Sequence, residues 1–181
     1  MSRKDSITLG GGCFWCLEAV FEMVSGVSRV KSGYTGGNVA DPSYKQVCGG
    51  STGHAEVVQI DFNADIITFR KLLEIFFVVH DPTTFNRQGN DVGTQYRSAI
   101  FHHTDGQRET VLDLIDGLDR DGPWVDSIVT EVAPLEDFYP AEEYHDRYFE
   151  RNGEQLYCQV VIAPKIATFR ERFMNQVMPP I

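Results

Sequence analysis

Residues 10–18 read Gly-Gly-Gly-Cys-Phe-Trp-Cys-Leu-Glu, a combination of types and spacing that points to thiol chemistry. A glycine turn running into a helix places Cys13 where unpaired backbone N–H groups and the positive end of the helix dipole gather. That environment predicts a lowered thiol pKa and a nucleophilic Cys13. Cys16 follows three residues later, a helical neighbour with Cβ atoms about 5–6 Å apart. Small rotations bring such a pair within the Cα separation of about 4.4–6.8 Å that a disulfide needs. The two cysteines can therefore cycle between dithiol and disulfide. A CxxC pair is also half of a zinc site, but no second CxxC or closely spaced Cys/His pair follows, so redox chemistry is the favoured reading. Cys48, in "KQVCGG", reads as a small buried filler. Phe14 and Trp15 diverge on a helix. At least one then lines a cleft beside Cys13, an aromatic surface that suits a thioether methyl.

The elements that position this pair follow from local pattern. Ser6 to Gly10 reads as a strand, and Phe14 to about Val24 as a helix with Leu17, Val20, Phe21 and Val24 on one face. Gly26 reads as its left-handed cap. Strands are expected at Val27 to Tyr34, Ala55 to Phe62, Ser98 to His102 and Ser127 to Ala133. Helices are expected at Thr68 to about Val79, with Thr68 or Asp65 as cap, and at Asp105 to Leu118, Ala141 to Arg151 and Ala167 to Gln176. Thr35 to Gly53 and His80 to Gln95 read as long loops, the kind that usually carries function. The stretch "CQVVIAP" reads as a strand, and "APK" and "MPP" as breaks in the tail. The order β-α-β, β-α, β is that of an α+β ferredoxin-like split βαβ plait with a mixed, largely antiparallel sheet and helices on one face. One domain is expected over residues 1–181, with a core at about 6–133 and a C-terminal extension at about 134–181.

The 181 residues carry 26 acidic and 16 basic side chains, a formal net charge of −10. That argues against a binder of nucleic-acid backbones, which needs clustered Lys and Arg. "LLEIFFVV" is the longest apolar run; Glu74 interrupts it and it is too short to span a bilayer. "MSRKDSITLGGG" lacks a signal-peptide core, so a cytoplasmic protein without membrane partners is expected. Four cysteines are too few for a disulfide-stapled scaffold.

"GGGCFWCLE" resembles the signature of the peptide methionine sulfoxide reductases of the A type. The resemblance continues through "SGYTGG", "PSYKQVCGGSTGHAEVVQIDF", "FFVVHDPTTFNRQGNDVGTQYRS" and "FYPAEEYHDRYFERN", in collinear order over most of residues 6–155. It implies reduction of methionine S-sulfoxide, free or in peptides and proteins, with no metal or organic cofactor and with thioredoxin as recycling partner. By matching motif, Cys13 is the attacking thiolate and Phe14 and Trp15 form the methyl pocket. Glu56 handles the proton, Tyr44 and Tyr96 hydrogen-bond the sulfoxide oxygen, and Asp91 shapes the site. Tyr144 and His145 lie in a stretch that borders it.

The chemistry needs such groups. Oxide is a poor leaving group, so attack on sulfur requires an acid, which a carboxyl held neutral by burial supplies. Glu56 is thus expected to have a raised pKa. Attack leaves a sulfenic acid on Cys13, and a second thiol must condense with it. The chain lacks the glycine-rich, cysteine-bearing tail of many relatives. It has Cys16 where many have glycine, and Asp146 where glutamine is common. Cys16 and Cys158 are the two resolving candidates, and local geometry favours Cys16. A general thiol–disulfide oxidoreductase is the runner-up, since CxxC at a helix start is also the thioredoxin arrangement. A zinc-binding module is the third reading.

Overall fold

The computed structural model describes residues 3–179. The expectations that touch residues 1 and 2 of "MSRKDS" and residue 180 of "MPP" lie partly outside them. In chain order the elements are β1 (Lys4–Gly10), α1 (Phe14–Phe21), β2 (Val27–Thr35), α2 (Tyr44–Cys48), β3 (Ala55–Asn63), α3 (Phe69–Val79), β4 (Arg87–Gln88), β5 (Asp91–Val92), β6 (Ala99–His102), α4 (Asp105–Asp121), β7 (Glu131–Pro134), β8 (Tyr139–Pro140), α5 (Tyr148–Asn152) and α6 (Ala163–Arg172).

Six strands form one sheet in the order β7-β6-β1-β3-β2-β8. β3 runs antiparallel to both β1 and β2, so those two are parallel to each other and split by β3. β6 joins β1 antiparallel, and β7 joins β6 parallel, which makes the sheet mixed. β8 adds a short antiparallel edge to β2.

Strand parity sorts the side chains. Val58, Ile60 and Ile100 belong to the core shared with α1, α3 and α6, whereas Ala55, Val57, Ala99 and Phe101 form a smaller cluster under Leu135 and Phe138. Leu17, Val20 and Phe21 of α1 and Leu72, Leu73, Ile75 and Phe76 of α3 are fully buried or nearly so. Each such side chain contributes about 1.5–3 kcal/mol relative to exposure. Thr68 is the cap of α3, its hydroxyl accepting from Lys71 N at 3.1 Å.

Several local expectations are corrected. α1 stops at Phe21 rather than near Val24; Gly26, at φ 92°, is the turn into β2 and not the helix cap. The two long loops carry structure of their own: α2 sits in the first, and the β4–β5 hairpin in the second. The strand expected from Ser127 begins only at Glu131. The expected helix from Ala141 to Arg151 breaks at Arg147, whose φ of 52° is left-handed. "CQVVIAP" is no strand: Cys158–Ile162 is a π-helical turn leading into α6. Cys158, Ile162, Ile166 and Phe169 are all buried at near-helical spacing. Pro164 follows the π turn directly, where the helical hydrogen-bond pattern shifts between the π turn and α6.

Candidate active site

Cys13 is the N-cap of α1, at the junction that β1 and three glycines make. Gly12 has φ 90°, and a Cβ there would lie 2.7 Å from Gln88 Cγ. The turn therefore needs glycine twice over, for its backbone and for the close packing of the 80–95 loop. Gln88 closes that loop by accepting from Asp81 N at 3.0 Å and donating to Asp81 O at 2.9 Å.

Glu56 follows Ala55 at the start of β3, with the parity of Val58 and Ile60, so its carboxyl points to the helix layer. It is fully buried. Oε2 accepts from Phe14 N, the first residue of α1, at 3.1 Å, while Oε1 has no protein partner among the described residues. Burial pushes the carboxyl up to about 8, against the opposing pull of the Phe14 amide. A strand-start glutamate would ordinarily be exposed; the parity of "AEVVQIDF" is the signal in the chain that marks this one as inward.

The expected acidity of Cys13 is corrected. Burial pushes its thiol well above the usual range, and the hydrogen bond with Cys16 and the charge of Glu56 add to it; the Trp15 backbone amide pulls the other way but loses. The helix start thus acts as expected in sign but is outweighed by desolvation. The Cys13 thiol donates to Cys16, which lowers the Cys16 pKa despite burial, and Lys165 and Tyr157 help. Of the pair, Cys13 is thus the thiol that holds its proton more tightly. The expected open cleft is closed over this sulfur, which keeps 6% exposure.

Aromatic residues gather around the start of α1. Phe14 is fully buried, with Tyr44, Tyr34 and His145 around it at centroid distances of 6.3, 5.7 and 4.9 Å. Trp15 is half-buried; its indole N–H donates to His145 Nδ1 at 2.9 Å and its face stacks on Tyr148 at 3.6 Å and 4°. His145 is buried, and Tyr144 beside it is 54% exposed. Tyr44 and Tyr96 are half-buried phenols whose pKa burial and the charge of Glu56 raise, so both stay neutral donors. Asp91, on the hairpin, accepts from Tyr157 Oη at 2.7 Å, and that hydroxyl lies 4.0 Å from Cys16 Sγ.

Three features were not foreseen. Cys48 is exposed, not a buried filler, because it ends α2 at the surface with its thiol against the Tyr44 hydroxyl. Glu142 organises the tyrosines by accepting from Tyr34 Oη at 2.9 Å and from Tyr44 N at 3.0 Å. Glu18, buried on α1, accepts from Arg147 N at 2.9 Å. No spacing in the chain announces the Glu142 and Glu18 contacts, which join segments distant in sequence. Cys158 is fully buried on its π turn, near enough for Cys16 to raise its pKa.

Comparison with known proteins accounts for the assembly. Residues 5–177 match the family model described as peptide methionine sulfoxide reductase. The chain is 55% identical over 170 residues to the peptide methionine sulfoxide reductase MsrA of Natronomonas pharaonis, covering 94% of this chain and 96% of that protein. Its fold resembles reduced Mxr1 from Saccharomyces cerevisiae with a TM-score of 0.79 and 38% identity, over 86% of this chain and 90% of that one. Mxr1 in complex with Trx2 is similar at a TM-score of 0.55 and 26% identity, over 81% and 85% of the two chains. The buried thiol pair at a helix start, the inward glutamate and this near full-length similarity lead to one conclusion: the chain belongs to the peptide methionine sulfoxide reductase A family of oxidoreductases.

Proposed function

We propose that this chain reduces methionine S-sulfoxide, free or in peptides and proteins, to methionine and so repairs oxidised proteins. The observation that carries the reading is Glu56. Its carboxyl is fully buried beside the Cys13 cap, with one oxygen held by Phe14 N and the other unpartnered among the described residues. A carboxyl in that state holds a proton at neutral pH and has an atom free to deliver it.

Cys13 attacks as its thiolate, and the proton it gives up balances the one that Glu56 delivers to the oxygen. The Cys13 sulfur attacks the sulfoxide sulfur while Glu56 protonates the oxygen, and the phenols of Tyr44 and Tyr96 donate to it. The oxygen ends on Cys13 as a sulfenic acid, and methionine leaves: the sulfoxide is reduced by two electrons and the thiol oxidised by two. Phe14 and Trp15 hold the ε-methyl, with Asp91, Tyr144 and His145 around them. The Cys16 thiol then condenses with the sulfenic acid, forming the disulfide and releasing water; Cys158 is the alternative resolving thiol. Thioredoxin, or another dithiol, reduces the disulfide, a reading supported by the similarity to the Mxr1–Trx2 complex. These steps balance with protein thiols and an external dithiol, without a metal or organic cofactor.

We place this chemistry on a single domain over residues 1–181 with a ferredoxin-like plait, which the β6-β1-β3-β2 order and the parallel pair split by β3 support. A cytoplasmic location is part of the same reading, with no nucleic-acid or membrane partner. No helix among the described residues is long and apolar enough to cross a membrane. The test is an assay on separated sulfoxide epimers with Cys13→Ser, Cys16→Ser and Cys158→Ser. Loss of single-turnover methionine only in Cys13→Ser, with the S epimer alone consumed, is the expected result. Methionine formed by Cys13→Ser refutes the reading.

A further inference from the structure

Glu18 has no part in the steps above, yet it is a carboxyl 2% exposed whose hydrogen-bond partners are backbone amides rather than a cation. Oε1 accepts from Arg147 N at 2.9 Å and Oε2 from Tyr148 N at 3.4 Å. Burying a carboxyl is unfavourable unless it is well paired, so its surroundings indicate what it secures.

Both amides belong to a turn in which Arg147 adopts the left-handed φ of 52°. A non-glycine residue holds that conformation only when neighbouring contacts impose it. The turn sets Tyr148 flat on Trp15, with centroids 3.6 Å apart and planes 4° from parallel. Three residues before Tyr148, His145 accepts the Trp15 indole N–H at 2.9 Å. The 145–148 segment thus grips Trp15 by face and by edge. Glu18 lies three residues beyond Trp15 on α1, so the helix that carries the wall also carries the carboxyl that ties the grip to it. The Lys31–Asp146 ion pair, at 2.6 Å, fastens the same segment to β2 from the other side.

We propose that Glu18 is a positioning residue that sets the size of the methyl pocket, acting through the Arg147–Tyr148 backbone and the Tyr148 ring on Trp15. The proposal rests on the reading that Trp15 lines that pocket. Glu18 itself touches no reacting atom. A glutamine at this position can accept one amide N–H but turns its own NH2 toward the other, so Glu18→Gln releases half of the tie while preserving shape.

The experiment compares N-acetylmethionine sulfoxide with N-acetylethionine sulfoxide, whose extra methylene a snug pocket rejects by about tenfold or more. In Glu18→Gln, KM for the methyl substrate should rise about tenfold while the saturated single-turnover rate stays within about twofold, and the preference for methyl over ethyl should narrow by a similar factor. Combining Glu18→Gln with Tyr148→Ala should be no worse than Tyr148→Ala alone, since the two act in series. Trp15 emission, read in a Trp124→Phe background, should shift to the red. Unchanged selectivity, additive effects, or a fall in kcat at constant KM overturns the proposal. If Glu18→Gln fails to fold, Tyr148→Ala and Tyr148→Phe decide: the ring-retaining variant should keep the methyl preference and the alanine should lose it, and a Tyr148→Ala enzyme that still discriminates refutes the idea. Turnover by Cys13→Ser would instead indict the underlying reading of the site.

Discussion

The indole N–H of Trp15 donates to Nδ1 of His145 across 2.9 Å, joining residues 130 positions apart. Because Nδ1 is the acceptor, the neutral ring must carry its proton on Nε2, which has no partner among the described residues. Burial lowers the His145 pKa and so protects the acceptor form. Replacing His145 with alanine should raise KM for sulfoxide about fivefold, the worth of one hydrogen bond near 1 kcal/mol. His145→Asn, whose side-chain oxygen can accept, should recover part of the loss. Steady-state kinetics on both variants checks this; equal losses would remove the hydrogen bond from the account.

Glu56→Gln should keep substrate affinity and lose about 10²–10⁴ in single-turnover rate, the usual share of a general acid. With the wild-type carboxyl titrating at about 8, its rate should fall as pH rises through that value. The glutamine variant should lack that limb. A pH profile of single turnover in both proteins distinguishes the acid role from a packing role.

Stability should also depend on pH, in the opposite sense to most carboxylates. Glu18, pushed by burial to about 7, and Glu56, at about 8, both hold their protons more tightly in the folded protein than in the unfolded chain. Their contribution is present in full below the ordinary carboxylate pKa of about 4.3 and is lost as pH climbs through about 7 and then about 8. Thermal melts from pH 5 to pH 8.5 should show a falling Tm, with a shallower fall in Glu56→Gln. A Tm that rises across this range contradicts the buried neutral carboxyls.

Gly12→Ala would meet Gln88 Cγ at 2.7 Å from a residue at φ 90°. A destabilisation of about 2 kcal/mol is expected from the left-handed backbone alone. Displacing Gln88 should also loosen the loop that carries Asp91, so activity should fall further than stability accounts for. Denaturant melts read beside kcat/KM test both parts.

Peptide mapping after one equivalent of sulfoxide should find a Cys13–Cys16 bridge. Cys16→Ser should make methionine once and then stall. Cys48, the exposed thiol, should be the first alkylated in the reduced protein. A Cys13–Cys158 bridge would move the resolving role to the π turn.

Where a feature depends on neighbours along the chain, it could be read before folding. The strand, glycine turn and helix around Cys13 are of that kind, as are the Thr68 cap and the buried face of Leu17, Val20 and Phe21. The π turn at Cys158 was misread because the β-branched Val160, Val161 and Ile162 resemble a strand. Their neighbours Ile166 and Phe169 extend a helical period that the Pro164 break concealed. The family motifs named the candidate site residues, and the structure brings Cys13, Glu56, Tyr44, Tyr96, Phe14, Trp15, Asp91 and His145 into one neighbourhood, leaving Tyr144 at its exposed rim.

By itself, then, the chain determined which groups could do chemistry and that two thiols would stand at a helix start, because backbone geometry and i, i+3 spacing are local. Only the tertiary structure decided where the protons reside. Desolvation is set by every segment that closes over a group, and it outweighs the helix start at Cys13 and holds Glu56 neutral, while the hydrogen bond with Cys13 lowers the Cys16 thiol against its own burial.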